Sequence, residues 1–266
     1  MKTTAKQLSG KTIFITGATG AIGGTLCRAL APSGCRLGLL GRKEPALKSQ
    51  AEELRRLGAT AALAAADLRD RAAVQNAIAS LARELGPANV LIHNAGVGHI
   101  TQAAAPNVDD VEEMLEVNYL GGVYAVEAVL PAMLARQSGQ LVAVSSLSSL
   151  RGMAWTAGYS ASKAAFATFL ESLRPALRRR GIATTTCHLG FVRTPMSDAL
   201  PLNPRILKIT PDYAVKRILH AVARRQREAY MPWYDACAAR FLRRLPAWLF
   251  DRVMATFGPV MVQGEY

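Results

Sequence analysis

Thr12-Ile13-Phe14-Ile15-Thr16-Gly17-Ala18-Thr19-Gly20-Ala21-Ile22-Gly23 decides how this chain folds. The first five residues are apolar or β-branched and read as a short buried strand. Gly17, Gly20 and Gly23 follow, and a helix-forming run continues until Pro32-Ser33-Gly34 breaks it. Strand, glycine-rich turn and helix is the arrangement in which backbone N–H groups at a helix N-terminus hold a pyrophosphate. Glycine-rich turns also arise for structural reasons alone, so the position directly after the first strand carries the argument. On this reading Gly17, Thr19, Gly20, Ala21, Ile22 and Gly23 contact a dinucleotide.

Outward from this turn, apolar runs and helical spacing alternate along the chain. Strands are predicted at 36–40, 60–66, 90–93, 141–145, 183–188 and 229–231. Between them, helices are predicted at 44–57, 70–85, 108–136, 156–177 and 211–226. Such alternation implies an α/β fold: a Rossmann-like, doubly wound parallel sheet of about seven strands with helices on both faces. No linker and no internal repeat interrupts it. Residues 1–232 then form one catalytic domain, and 233–266 a helical extension of it.

The end of the second strand selects the dinucleotide. About twenty residues past the glycines an Asp or Glu would accept the ribose 2′-hydroxyl of NAD. Gly41 stands there instead, followed by Arg42 and Lys43. A missing carboxylate beside a guanidinium favours a 2′-phosphate, hence NADP. Glu44 is read as the start of the next helix.

Tyr159-Ser160-Ala161-Ser162-Lys163 carries the chemistry. A phenol and an ammonium four residues apart on a helix lie on one face. A phenol is a poor base at neutral pH with its pKa near ~10, and a neighbouring cation lowers that value. Taken alone, the pair reads as an ordinary surface Tyr and Lys.

With these pieces the chain resembles the short-chain dehydrogenase/reductase family, from Lys11 to about Gln226. The family's TGxxxGxG turn is matched by Thr16 to Gly23, with Ala21 in place of the middle glycine. Its Asp-Leu pair, which holds the adenine, is matched by Asp67-Leu68. Its NAG motif is Asn94-Ala95-Gly96, preceded by His93 where another Asn is frequent. The helix Asn of its catalytic tetrad falls on Asn118. Its catalytic Ser precedes the Tyr by thirteen residues, which selects Ser146 from the Ser-rich loop. Its PGxVxT segment is Leu189-Gly190-Phe191-Val192-Arg193-Thr194, with Leu189 replacing the proline; Gly190, Val192 and Thr194 are the cofactor contacts it implies.

The resemblance implies NADP(H) as cofactor and interconversion of an alcohol with a ketone or aldehyde. In these roles Ser146 holds the substrate oxygen and Tyr159 is the acid/base. Lys163 lowers the Tyr159 pKa and holds the nicotinamide ribose, and Asn118 anchors a water relay. It also implies a homodimer or homotetramer formed through the helices at 108–136 and 159–177. The contrasting reading is a non-catalytic NADP-binding regulatory or scaffold protein, which need not keep this tetrad.

Composition narrows the remaining classes. The formal net charge is +13 with half of the residues hydrophobic, but no zinc-finger, basic-zipper or aromatic-interleaved pattern accompanies the late arginine clusters, so no nucleic-acid partner is expected. Cys27, Cys35, Cys187 and Cys237 lack any metal-ligand spacing and read as buried free thiols, with no metal expected. His93, His99, His188 and His220 read as structural. The N-terminal residues show no apolar run suited to a signal peptide, and no run approaches ~20 uninterrupted apolar residues. The location expected is the cytoplasm, with the membrane's cytoplasmic face as an extension of it.

Two late segments bear on the substrate. Residues 194–211 hold Pro195, Pro201 and Pro204 among Met196, Leu200, Leu202, Ile206 and Leu207. By resemblance this is the lid over the substrate, and its apolar content points to a lipophilic molecule. Beyond it, Trp233, Cys237, Phe241 and Leu245 recur at helical spacing, and Trp248, Leu249, Val253 and Phe257 continue the stripe after Pro246. Arg240, Arg243, Arg244 and Arg252 lie off the stripe. Such a pair of helices packs on the core, meets another subunit, or makes peripheral membrane contact through 233–257.

Overall fold

The structure, a computed structural model, describes residues 7–200 and 206–261. Seven parallel strands form one sheet in the order β3-β2-β1-β4-β5-β6-β7. They are β1 Thr12–Thr16, β2 Arg36–Gly41, β3 Thr60–Ala65, β4 Val90–His93, β5 Gly139–Ser146, β6 Ile182–Leu189 and β7 Glu228–Met231. The helices are α1 Ala21–Leu30, α2 Glu44–Arg56, α3 Arg71–Leu85, α4 Val108–Leu115, α5 Gly121–Ala135, α6 Ala157–Arg179, α7 Pro195–Asp198, α8 Pro211–Ala223, α9 Trp233–Arg244 and α10 Ala247–Met261.

Alternation along β1 shows why the sheet needs cover on both sides. Ile13 and Ile15 face one core layer with Leu26, Leu47 and Ile218, from α1, α2 and α8. Phe14 faces the other with Ile78, Val129 and Phe166, from α3, α5 and α6. Successive strand residues point to opposite faces, so a strand buried on both reads as an unbroken apolar run.

Three boundaries differ from the sequence reading. The helix predicted at 108–136 is divided by a π-helical segment, Glu116–Leu120, between α4 and α5. Its closing bond runs from the Gly121 N–H to the Glu116 carbonyl, one residue wider than an α-helical turn. Periodicity does not reveal a single wide turn. β5 and β6 are longer than predicted because Gly139 and Gln140 pair with Ile182 and Ala183 at one end and Ser146 with Leu189 at the other. The 211–226 helix ends at Ala223, followed by Arg225 in a left-handed conformation (φ 51°). Val108–Ala135 is long and apolar enough to cross a membrane by length and composition, yet Met114, Val126, Val129 and Met133 are buried within the fold.

The two C-terminal helices form as predicted, and the α9 part of their apolar stripe faces outward, while Leu249 and Val253 of α10 are half-buried. Trp233, Cys237 and Phe241 are exposed, whereas Ala236 is buried and Ala239 and Leu242 are half-buried. Small side chains on the inner face allow α9 to lie close to the domain, and the bulky ones are left outside. The expectation that all four cysteines are buried fails at Cys237 for the same reason; Cys27, Cys35 and Cys187 are buried and free. Pro201, Leu202 and Pro204 of the predicted lid, and the side chain of Phe257, lie outside the described residues.

Candidate active site

β1 and β4 are neighbours in space but not in sequence, and helices leave their ends toward opposite faces. This opens a crevice at the carboxyl ends of the strands. Thr16, the last residue of β1, is in register with His93, the last of β4. The Thr16 hydroxyl accepts from the Asn94 and Ala95 N–H groups, both at 3.2 Å. The Asn94 amide donates to the Thr16 and Gly17 carbonyls at 3.3 and 3.1 Å. The predicted glycine turn and the Asn94-Ala95-Gly96 segment are thereby one construction. Gly17 has φ 64°, and a side chain there would meet the Ala95 backbone at 2.7 Å.

The turn suits an anion. Gly20 caps α1 without a side-chain hydrogen bond, and the first turn of α1, with Ala21, Ile22 and Gly23, holds no acidic residue. Its N–H groups have no side-chain partner competing for them. Thr19 and Gly20 are exposed beside them. At the end of β2, Gly41 is buried while Arg42 and Lys43 project into solvent. Asp67 follows β3, and its carboxylate is forked by Arg69, with Nη2 at 2.6 Å and Nε at 3.1 Å. This pairing, reinforced by the nearby Arg42, holds the Asp67 pKa below its ordinary value. Leu68 is buried. Arg69 is therefore a third cation at this edge, which sequence reasoning missed; its place two residues after Asp67 was the available signal.

The reacting groups gather at the ends of β4, β5 and α6. Ser146 closes β5, and its hydroxyl accepts from the N–H and hydroxyl of Ser148 at 3.2 and 2.9 Å. Tyr159, on the first turns of α6, is half-buried and lines the same cavity as Ser146. Burial pushes its phenol up to about 12, against a smaller lowering by a hydrogen bond with Ser146. Lys163 is buried, donates to the Val144 carbonyl at 3.3 Å, and lies 5.8 Å from the Tyr159 ring centroid. Burial pushes its ammonium down to about 8. The expected lowering of the phenol by Lys163 is thus not seen in this structure: desolvation dominates both groups. Gly96 makes room for the ammonium, since a side chain there would come within 2.8 Å of Lys163 Nζ.

Asn118 sits in the π-helical segment and is wholly buried. Its amide oxygen accepts from Val97 N–H at 2.8 Å, and its amide nitrogen donates to the Val97 carbonyl and the Ser162 hydroxyl, both at 2.9 Å. Its main-chain carbonyl lies 3.3 Å from His93 Nε2, and His93 Nδ1 lies 2.9 Å from the Thr16 hydroxyl. A carbonyl only accepts, so Nε2 carries the proton and Nδ1 accepts from Thr16. Burial, with Lys163 nearby, pushes the imidazole down to about 3, so it is neutral. His93 joins the cofactor turn to the Asn118 backbone.

Above these groups is a cavity of about 730 Å³. Its walls include Phe191 after β6, Met196 and Leu207 from the lid segment, and Phe241, Leu242 and Met254 from α9 and α10. Gly190 donates its N–H to Met231, Val192 bridges to Ile209 at the base of the lid, and Thr194 caps α7. Two residues of this wall were not singled out in the sequence. Arg151 donates from Nη1 to the Leu242 and Leu245 carbonyls at 2.7 Å each, with its guanidinium 3.7 Å from the centre of the Phe250 ring. Asp235 also lines the cavity, with its pKa raised by burial. Neither has a local sequence signal, because both depend on contacts across the fold. His99 bonds Glu113 at 2.8 Å and His188 the Ser149 hydroxyl at 2.9 Å. Among the described residues no cluster could hold a metal ion.

Residues 11–204 match the short chain dehydrogenase family. An uncharacterized oxidoreductase of Myxococcus xanthus is 35% identical over 245 residues, 92% of this chain and 96% of that protein. A fatty acyl-CoA reductase of Acinetobacter baylyi is 29% identical over 223 residues, covering 83% and 75% of the two chains. Among solved structures, an actinorhodin polyketide ketoreductase with NADPH superposes with a TM-score of 0.76 at 26% identity, over 85% of this chain and 96% of that one.

Proposed function

The chain belongs to the short-chain dehydrogenase family of oxidoreductases, and on that premise we propose that it is an NADP-dependent enzyme that interconverts a lipophilic alcohol and its ketone or aldehyde. The observation that carries this reading is the meeting of Ser146, Tyr159 and Lys163 at one side of a large apolar cavity. Asn118 is locked directly behind Lys163, across Gly96.

The residues fit a nicotinamide dinucleotide phosphate: an uncapped α1 N-terminus for the pyrophosphate, and Arg42, Lys43 and Arg69 for the 2′-phosphate. When bound, the nicotinamide supplies the hydride. Ser146 donates a hydrogen bond to the substrate oxygen and stabilises the negative charge that grows on it. Tyr159 gives its phenolic proton to that oxygen. With its pKa raised to about 12 by burial, the phenol keeps its proton throughout the neutral range and is available as a donor. Lys163, 5.8 Å from the Tyr159 ring centroid, keeps a cation beside the phenol. The NADPH of the ketoreductase supports the choice of cofactor, and the fatty acyl group in the name of the other relative supports a lipophilic substrate.

A screen of steroid, retinoid, fatty and small carbonyl compounds, followed by NADPH oxidation, tests the reading. A turning-over substrate is expected, and Tyr159→Phe should lower its kcat by at least ~100-fold while NADPH binding is unchanged. A variant that keeps near-normal turnover would sink the assignment.

A further inference from the structure

The apolar cavity opens through a rim that is itself apolar and exposed. Leu207, Phe241, Tyr234 and Met196 all line the cavity, yet Leu207 is 70% and Phe241 65% exposed. Trp233, whose ring packs edge-on against Tyr234, is 70% exposed, and Trp248 at the start of α10 is 64% exposed. Trp233, Cys237 and Phe241 succeed one another at four-residue spacing on the outer face of α9, so they form a stripe and not scattered surface residues. Isolated exposed apolar side chains need no explanation, but a contiguous patch around a site entrance does.

We propose that this face of α9 and α10, with the lid rim, docks on an anionic lipid bilayer and opens the cavity to the hydrocarbon. The inference rests on the reading of a lipophilic substrate. Charge selects the bilayer over a second copy of the chain. Contrary to the sequence reading, helical geometry puts Arg244 on the same outer face as the stripe, with Arg243 and Arg252 also exposed, while Arg240 stacks over the Tyr230 ring at 3.9 Å. Across 233–256 the only acids are Asp235, in the cavity wall, and Asp251. A two-fold contact presses a patch against itself, which would set these arginines against their own copies. Anionic headgroups instead complement them, while the tryptophans and Phe241 enter the acyl boundary. Arg151 holds the α9–α10 corner against the Ser146 loop, so that the docked helices and the reacting groups move as one.

Vesicle flotation tests the proposal with the full chain. It should float with vesicles of equal parts phosphatidylglycerol and phosphatidylcholine and much less with phosphatidylcholine alone. Trp233→Ser with Trp248→Ser should weaken this binding at least ~10-fold, and Arg243→Ser with Arg244→Ser should weaken it in a salt-dependent way. Neither pair should change turnover of a water-soluble ketone. Absence of flotation at low ionic strength overturns the proposal. So does a dimer, by sedimentation equilibrium, that the tryptophan substitutions split. Flotation needs no turnover: a chain that floats but reduces nothing refutes the activity, and one that reduces a soluble ketone but does not float refutes the docking.

Discussion

Lys163 is held at a cost to stability, and the cost has a pH signature. The folded protein releases its proton near pH 8, whereas the unfolded chain keeps it to about 10.5. Between these values the unfolded state binds more protons, so stability rises with pH. Below pH 8 both states are protonated and the penalty of burying the ammonium is complete. Lys163→Met should therefore stabilise the cofactor-free protein at pH 7, by on the order of 3 kcal/mol, and the gain should fade as the pH approaches about 10.5. Tyr159 has the opposite slope, its folded-state pKa being raised, but only above pH 10 and equally in both proteins. Thermal melts of the pair from pH 6 to 10.5 make the measurement; equal melting temperatures at pH 7, or a gap that does not narrow, would refute it.

Among the elements, α9 is clamped at its C-terminal end by one distant side chain. The Leu242 carbonyl, which also accepts from the Leu245 N–H, and the Leu245 carbonyl at the end of the helix receive two bonds from Arg151. Arg151→Ala should cost the docking of α9 and α10 about 2 kcal/mol. Amide exchange across α9 is then expected to quicken ~30-fold, with the sheet unchanged. KM for a lipophilic substrate should rise as the cavity wall loosens. Unaltered exchange in α9 would show that other contacts hold it. The π-helical segment also has a defined role, since its wide turn places the Asn118 carbonyl against His93.

For the whole molecule, cofactor choice becomes a difference in stability. A ligand at 100 times its Kd adds about 2.7 kcal/mol, which for a chain of this size is several degrees of melting temperature. NADPH should raise the melting temperature more than NADH at equal concentration, and Arg42→Ala with Arg69→Ala should level the two. A larger shift with NADH would overturn the assignment of the β2 edge.

The order of strands and helices was legible because local pattern dictates it: Thr12–Thr16 is apolar at every position and Gly17 must turn. Ser146, Tyr159, Lys163 and Asn118 could be found by fixed spacing along the chain and by resemblance. The sequence could not reveal which way the α9 stripe points, because 3.6-residue periodicity defines an apolar face without saying what it meets. Nor could it supply the clamp of Arg151 on carbonyls more than ninety residues away, or the place of Arg69 beside Arg42. It also mistook the balance at Tyr159 and Lys163, since four-residue spacing sets proximity while the loss of solvent sets the pKa. The sequence by itself determined the sheet and the turn, which follow from local geometry, and it proposed the candidate reacting residues by spacing and resemblance. Only the tertiary structure decided their electrostatics and the apolar mouth above them, because burial and long-range contact belong to the folded chain as a whole.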